Sequence, residues 1–221
     1  MTTSNTVIAI DGPAASGKST VARRVASALG YLYVDSGALY RSVTWWLLRQ
    51  GIPASDTARV LEALPRLEVE FRIGDGTVKY LVGGEDPGVE IREPAINENV
   101  SLMAAMPEVR ARVTAWLQRM RGLGHLVMEG RDIGTAVFPD SPHKFYLDAD
   151  PAERARRRHL EVVAAQRGTT VQDIGASIQK RDTLDSGRKT APLRLAPGAA
   201  VVDSTRMTIE EVVRFILDCV R

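Results

Sequence analysis

The chain has 221 residues, of which 44% are hydrophobic and 25% charged, with a net charge of +2. That is the make-up of a soluble globular protein with room for one sizeable domain. The near-neutral balance gives no case for a nucleic-acid surface, and no apolar run approaches the ~20 residues that cross a bilayer. The lone Cys219 excludes an internal disulfide. The first six residues lack the basic stretch and apolar core of a secretory leader, so a cytoplasmic protein is expected.

In chain order, residues 6–10 form a short apolar, β-rich run that predicts a buried strand. It leads into Gly12-Pro13-Ala14-Ala15-Ser16-Gly17-Lys18-Ser19, which fits the spacing Gly-x-x-x-x-Gly-Lys-Ser/Thr. Val21, Val25, Ala28 and Leu29 then recur at helical spacing, predicting a helix over 18–29. Such a loop wraps an anion with backbone N–H groups, and the helix adds its positive end. The stretch from Gly12 to Ser19, with Thr20 after it, is therefore expected to hold a nucleoside triphosphate. Lys18 would meet the terminal phosphates, and the Ser19 hydroxyl would be the Mg²⁺ ligand.

Further strands are expected at 31–34, 126–128, 144–147 and 200–202, and helices at 38–50, 107–121, 151–167, 171–186 and 209–220. Alternating strands and helices predict a doubly wound α/β fold with a five-stranded parallel sheet. Ligands of such sheets lie at the carboxyl ends of the strands, which puts Asp11, Asp35, Glu129 and Asp148 on one rim. One region breaks the rhythm. Residues 67–73 alternate apolar and polar, a Gly-Asp-Gly turn follows, and Val78, Tyr80 and Val82 alternate again. This predicts an inserted antiparallel hairpin with its own small sheet.

A second anionic site must face the loop if the bound phosphate is to be transferred. Asp35-Ser36-Gly37-Ala38-Leu39-Tyr40-Arg41 follows the second strand and opens a helix. Ser36 would cap that helix and Arg41 would reach a phosphate, or the pair is an ordinary cap with a surface arginine. Glu129-Gly130-Arg131-Asp132-Ile133-Gly134-Thr135 places Arg131 and Asp132 on the same rim, as ligand contacts or as a mutual ion pair. Arginines also cluster at 154–158, as a solvated helix face or an anion contact. The three histidines lack a metal-ligand arrangement, and Trp45 and Trp46 fit an apolar helix core.

These segments resemble the bacterial cytidylate kinases, a branch of the nucleoside monophosphate kinases. The match includes Ile10-Asp11-Gly12-Pro13 with the loop, the Asp35–Arg41 segment, Gly130-Arg131-Asp132-Ile133-Gly134-Thr135, Phe138-Pro139-Asp140, Arg181-Asp182 with Asp185 and Arg188, Ala191-Pro192-Leu193 and Asp203-Ser204-Thr205. The resemblance implies transfer of the γ-phosphoryl group of ATP to CMP or dCMP by a monomeric P-loop kinase, using Mg²⁺. It implies an enlarged monophosphate-binding insert over 37–106, with the hairpin at about 67–82, and a short helical lid over about 154–168. By the same resemblance Ser36 belongs to the CMP site, and Ser101, Arg110 and Asp132 surround the cytosine. Arg41, Arg131 and Arg188 hold the monophosphate, and Arg181 and Asp185 the sugar. Lys18, Arg131 and Arg188 carry the catalysis, and Arg157 of the lid reaches ATP or pairs with Glu153. Ala15 stands where many relatives have glycine, a minor departure provided that its φ is negative. The alternative is another kinase on the same scaffold, such as one acting on UMP.

Overall fold

The computed structural model describes residues 5–164 and 170–220. In chain order the main elements are β1 (Val7–Asp11), α1 (Lys18–Leu29), β2 (Leu32–Asp35), α2 (Ser36–Arg49), α3 (Thr57–Ala63), β3 (Val69–Gly74), β4 (Thr77–Val82), α4 (Pro94–Met103), α5 (Pro107–Arg119), β5 (Leu126–Gly130), β6 (His143–Asp148), α6 (Pro151–Ala164), α7 (Val171–Ser186), β7 (Ala200–Asp203) and α8 (Ile209–Val220). Residues 165–168 of the expected lid lie outside the described residues.

One sheet runs in the order β3-β4-β2-β5-β1-β6-β7. β1 lies between β5 and β6 and pairs with both in parallel, from Val7↔Leu126 to Asp11↔Gly130 on one side and from Ile8↔His143 to Asp11↔Tyr146 on the other. Every residue of β1 and β5 is buried. That explains their continuous apolar reading, since both faces are covered. Val7 and Ala9 point to one layer, with Val43 and Leu47 of α2 and Val113 and Leu117 of α5. Ile8 and Ile10 point to the other, with Val21 and Val25 of α1 and Val212 and Ile216 of α8. The period-two alternation of the strand and the 3.6 spacing of the helices thus meet in two packed layers.

The hairpin differs from expectation. β3 and β4 pair antiparallel from Val69↔Val82 to Gly74↔Thr77 but do not form a separate sheet. β4 meets β2 in parallel at Tyr33↔Thr77, and the Tyr33 N–H donates to the Gly76 carbonyl at 2.8 Å. The free edge of β2 offers unpaired backbone groups, and the hairpin satisfies some of them. The chain between β4 and α5 is also more structured than its Gly-Pro punctuation indicates, because Ile91, Ile96 and Val100 bury themselves beside α2.

His125, Trp45 and Trp46 make contacts within the scaffold. His125 stacks on Tyr31 at 4.8 Å between ring centres and accepts from the Thr6 N–H. Trp45 is buried, with its indole N–H donating to Glu90 at 2.7 Å, and Trp46 packs partly buried against the core. Among the described residues no helix is long and apolar enough to cross a membrane.

Candidate active site

The turn from β1 into α1 forms the loop predicted from the glycine spacing. Gly12 takes φ +151, and a Cβ there would sit 2.0 Å from the Leu147 carbonyl oxygen. Gly12→Ala is therefore expected to destabilise the fold by about 3 kcal/mol and to abolish ATP binding, since it adds backbone strain to a clash with a neighbouring strand. A denaturant melt checks this, and a midpoint equal to wild type would refute it. Gly17, at φ +91, precedes α1, and no side chain caps that helix. α2, α3 and α7 by contrast are capped by Asp35, Asp56 and Thr170. The first N–H groups of α1 are thus left for an anion.

Ala15 corrects the expectation made for it. Its φ is +59, the left-handed region, so the alanine sits at a strained position. The strain for an alanine is about 1–2 kcal/mol, and the loop carries it at its tip.

Lys18 is buried, with its ammonium donating to the Pro13 carbonyl at 2.6 Å and to Ser16 Oγ at 3.3 Å. Burial and the nearby Arg131 push its pKa down to about 7, against the pull of Glu129 and Asp11. Ser19 is exposed beside it and donates to the buried Glu129 carboxylate, which also accepts from Tyr33 Oη at 3.1 Å. A hydroxyl next to a carboxylate is a hard oxygen set that fits Mg²⁺, an ion that keeps most of its shell as water and phosphate. Thr20, Arg157, Ser204 and Met207 line a cavity of about 300 Å³ that opens beside Ala15, Ser16 and Gly17.

The other half of the rim is held by charge pairs. Asp11, at the end of β1, accepts from the Ile133 and Gly134 N–H groups at 2.8 and 2.7 Å, which fixes the turn carrying Arg131 and Asp132. Burial raises the Asp11 pKa to about 6. Arg131 Nε donates to Asp185 at 2.9 Å, and Arg188 Nε donates to the Asp185 carbonyl at 3.1 Å. Arg110 and Asp132 form a buried salt bridge, with Arg110 also on the Ala104 carbonyl and over the Tyr40 ring at 5.5 Å. Ser101 is buried on α4, three residues before Ala104. Arg41 pairs with Asp35 at 3.0 Å. Arg181 is held to about 10 by burial and by Arg131 nearby.

These arginines are not saturated. Arg41 Nε, Arg110 Nε, Arg181 Nε and Arg188 Nη2 are buried without a hydrogen-bond partner. An unpaired buried donor is costly. Four on one cluster mark a place built for an anionic, acceptor-rich molecule.

One expectation for a side chain changes. Ser36 does not cap α2; Asp35 does, accepting from the Ala38 N–H at 2.7 Å, while Ser36 Oγ donates to the Glu129 carbonyl. Arg157 makes the Glu153 contact weighed for it, donating at 2.8 Å, and also donates to the Ser204 carbonyl and hydroxyl at 2.7 and 3.0 Å. Sequence reading left Glu129 and Asp11 on the rim without a role, although a carboxylate ending a buried strand was signal enough. Arg154 stands in the 154–158 cluster and Asp182 in the matched segments, but no spacing marks their pairing, which brings them together at the loop from two later helices.

Strand, anion cradle, buried lysine and a facing arginine cluster define a kinase of the P-loop class. The chain belongs to the cytidylate kinase family: the model of that family, described as cytidylate kinase, matches residues 8–221. It is 44% identical over 209 residues to a cytidylate kinase of Lactiplantibacillus plantarum, covering 95% of this chain and 92% of that protein. It is likewise 44% identical to a cytidylate kinase of Caldanaerobacter subterraneus, covering 97% and 94%. A solved structure of an uncharacterised protein from Eubacterium ventriosum aligns with a TM-score of 0.55 at 10% identity over 98% of both chains, which bears on the fold alone.

Proposed function

We propose that the chain transfers the γ-phosphoryl group of ATP to CMP and dCMP, releasing ADP with CDP or dCDP. The observation that carries this reading is the set of orphaned arginine nitrogens, one of them on Arg181, whose neighbour Arg131 is also a neighbour of Lys18 in the glycine loop. Membership of the cytidylate kinase family supports it.

In this reading the loop from Gly12 to Ser19, with Thr20, takes the donor phosphates, and Arg157 borders the adenosine side of the cavity. Ser36, Arg41, Arg131 and Arg188 take the acceptor phosphate, Arg181 and Asp185 the sugar, and Ser101, Arg110 and Asp132 the cytosine. An acceptor phosphate oxygen bonds to the γ-phosphorus as the β,γ-bridging P–O bond breaks, so no general base is needed. Lys18, Arg131 and Arg188 neutralise the moving charge and hold the two nucleotides in line. Mg²⁺ would be held by Ser19 with Glu129 alongside, where it screens the donor phosphates. Residues 37–106, hairpin included, form the acceptor-binding part, and the segment 154–168 acts as the lid that excludes water. We also propose a cytoplasmic monomer without a nucleic-acid partner, for which light scattering at assay concentration is the check on size.

The deciding experiment is ADP release coupled to a spectrophotometric readout across CMP, dCMP, UMP and AMP. CMP and dCMP are expected to exceed UMP and AMP by at least about a hundredfold in kcat/KM, because a pocket built to hydrogen-bond one base leaves its groups unpaired on another. Equal turnover of UMP would overturn the assignment.

A further inference from the structure

Ala14 is gripped from outside the loop at both of its backbone polar groups. Its N–H donates to Asp182 Oδ1 at 3.0 Å, and its carbonyl accepts from Arg154 Nη1 at 3.2 Å. Arg154 and Asp182 are joined by a salt bridge, and Arg154 Nε is anchored on the Ala149 carbonyl at 3.1 Å. Arg154 is buried, on α6, and Asp182 comes from α7. The side-chain bonds made inside the loop run instead to the Pro13 carbonyl, from Ser16 Oγ and Lys18 Nζ, and from Lys18 Nζ to Ser16 Oγ.

The position of this grip matters. The Ala14 carbonyl belongs to the peptide plane that precedes Ala15, and the orientation of that plane sets the Ala15 φ of +59. Rotating the plane would relieve Ala15 but would swing the Ala14 oxygen away from Arg154. An arginine fork pre-organised by its own carboxylate is suited to hold it. Asp182 also follows Arg181 directly and lies within one turn of Asp185 on α7.

We infer that Arg154 and Asp182 are a positioning pair: they hold the donor loop in its phosphate-receiving shape and tie it to the helix that carries Arg181 and Asp185. This rests on the reading of the loop as the ATP site. Both residues act on the loop through the Ala14 backbone.

The test uses Asp182→Asn and Arg154→Met, each alone and combined with Ala15→Gly, in the full chain. Affinity for ATP is measured by calorimetry without acceptor, alongside kcat and both KM values. Each single variant is expected to weaken ATP binding by about tenfold to a hundredfold, the cost of small misplacements at a phosphate site. The preference for CMP over UMP is expected to stay as in wild type. Ala15→Gly is expected to restore most of the lost ATP affinity, because glycine adopts positive φ unaided. ATP affinities within about twofold of wild type in both single variants would overturn the pair's role. So would a loss that Ala15→Gly leaves unchanged, as expected if the two side chains only pack α6 against α7. Should Arg154→Met fail to fold, Arg154→Lys keeps the charge, loses the fork and carries the same prediction. Absence of CMP phosphorylation in the wild-type protein would instead strike the functional reading, independently of these variants.

Discussion

Replacing Lys18 by alanine is expected to lower kcat with CMP by about a hundredfold to a thousandfold, the usual cost of removing one preorganised donor to developing charge. The melting temperature should stay close to wild type. The ammonium of Lys18 is desolvated, and among the described residues its bonds run to Pro13 and Ser16 of its own loop. A buried charge held this way is expensive to keep, so the lost contacts are largely offset by the lost desolvation. The loss should appear in kcat more than in KM for CMP, because the acceptor arginines are untouched. Turnover near that of wild type, in single-turnover measurements with saturating ATP and Mg²⁺, would remove the loop from the mechanism.

Asp132→Asn is expected to reduce the preference for CMP over UMP by about one to two orders of magnitude, the discrimination available from one well-placed hydrogen-bonding group. A carboxylate accepts from the cytosine N4 amine and repels the uracil O4. An amide can turn either its oxygen or its nitrogen toward the base and so tolerates both. The absolute rates will also fall, because Arg110 loses the partner that compensates its charge in a buried site. The ratio of kcat/KM for CMP and UMP is the quantity that separates the two effects. Equal losses with both substrates would mean that Asp132 serves only to hold Arg110.

The donor half of this site was legible because its parts are adjacent in the chain. One strand, one glycine loop and one helix N-terminus occupy residues 7–29, and local spacing alone defines them. The proposed acceptor half draws on α2, α4, α5, α7 and the turn after β5, and its residues meet only after folding. Ser101 and Arg110 carry no pattern that separates them from a helix-region serine and a surface arginine; the resemblance alone named them, and Arg110 proves buried against Asp132. Ser36 was misread as a cap because Asp35 and Ser36 are both good caps in adjacent positions, and only the approach of Glu129 chooses between them. The hairpin was found from its alternation, which specifies a half-exposed ribbon but not the edge it joins. The φ of Ala15 was not legible either, since a side chain that small neither requires nor forbids the left-handed region by its pattern.

If Arg110 and Asp132 receive the base, as proposed, their contact has a consequence for how selectivity arises. Both groups leave water when the chain folds, and each already has the other as its counterpart. The dehydration of the carboxylate is therefore settled before any base arrives, in the stability of the protein rather than in its affinity. A pyrimidine that enters has only to match donors with acceptors, and the wrong one gains nothing from hydration that has already been given up. Discrimination at this pocket is in that sense stored in the fold.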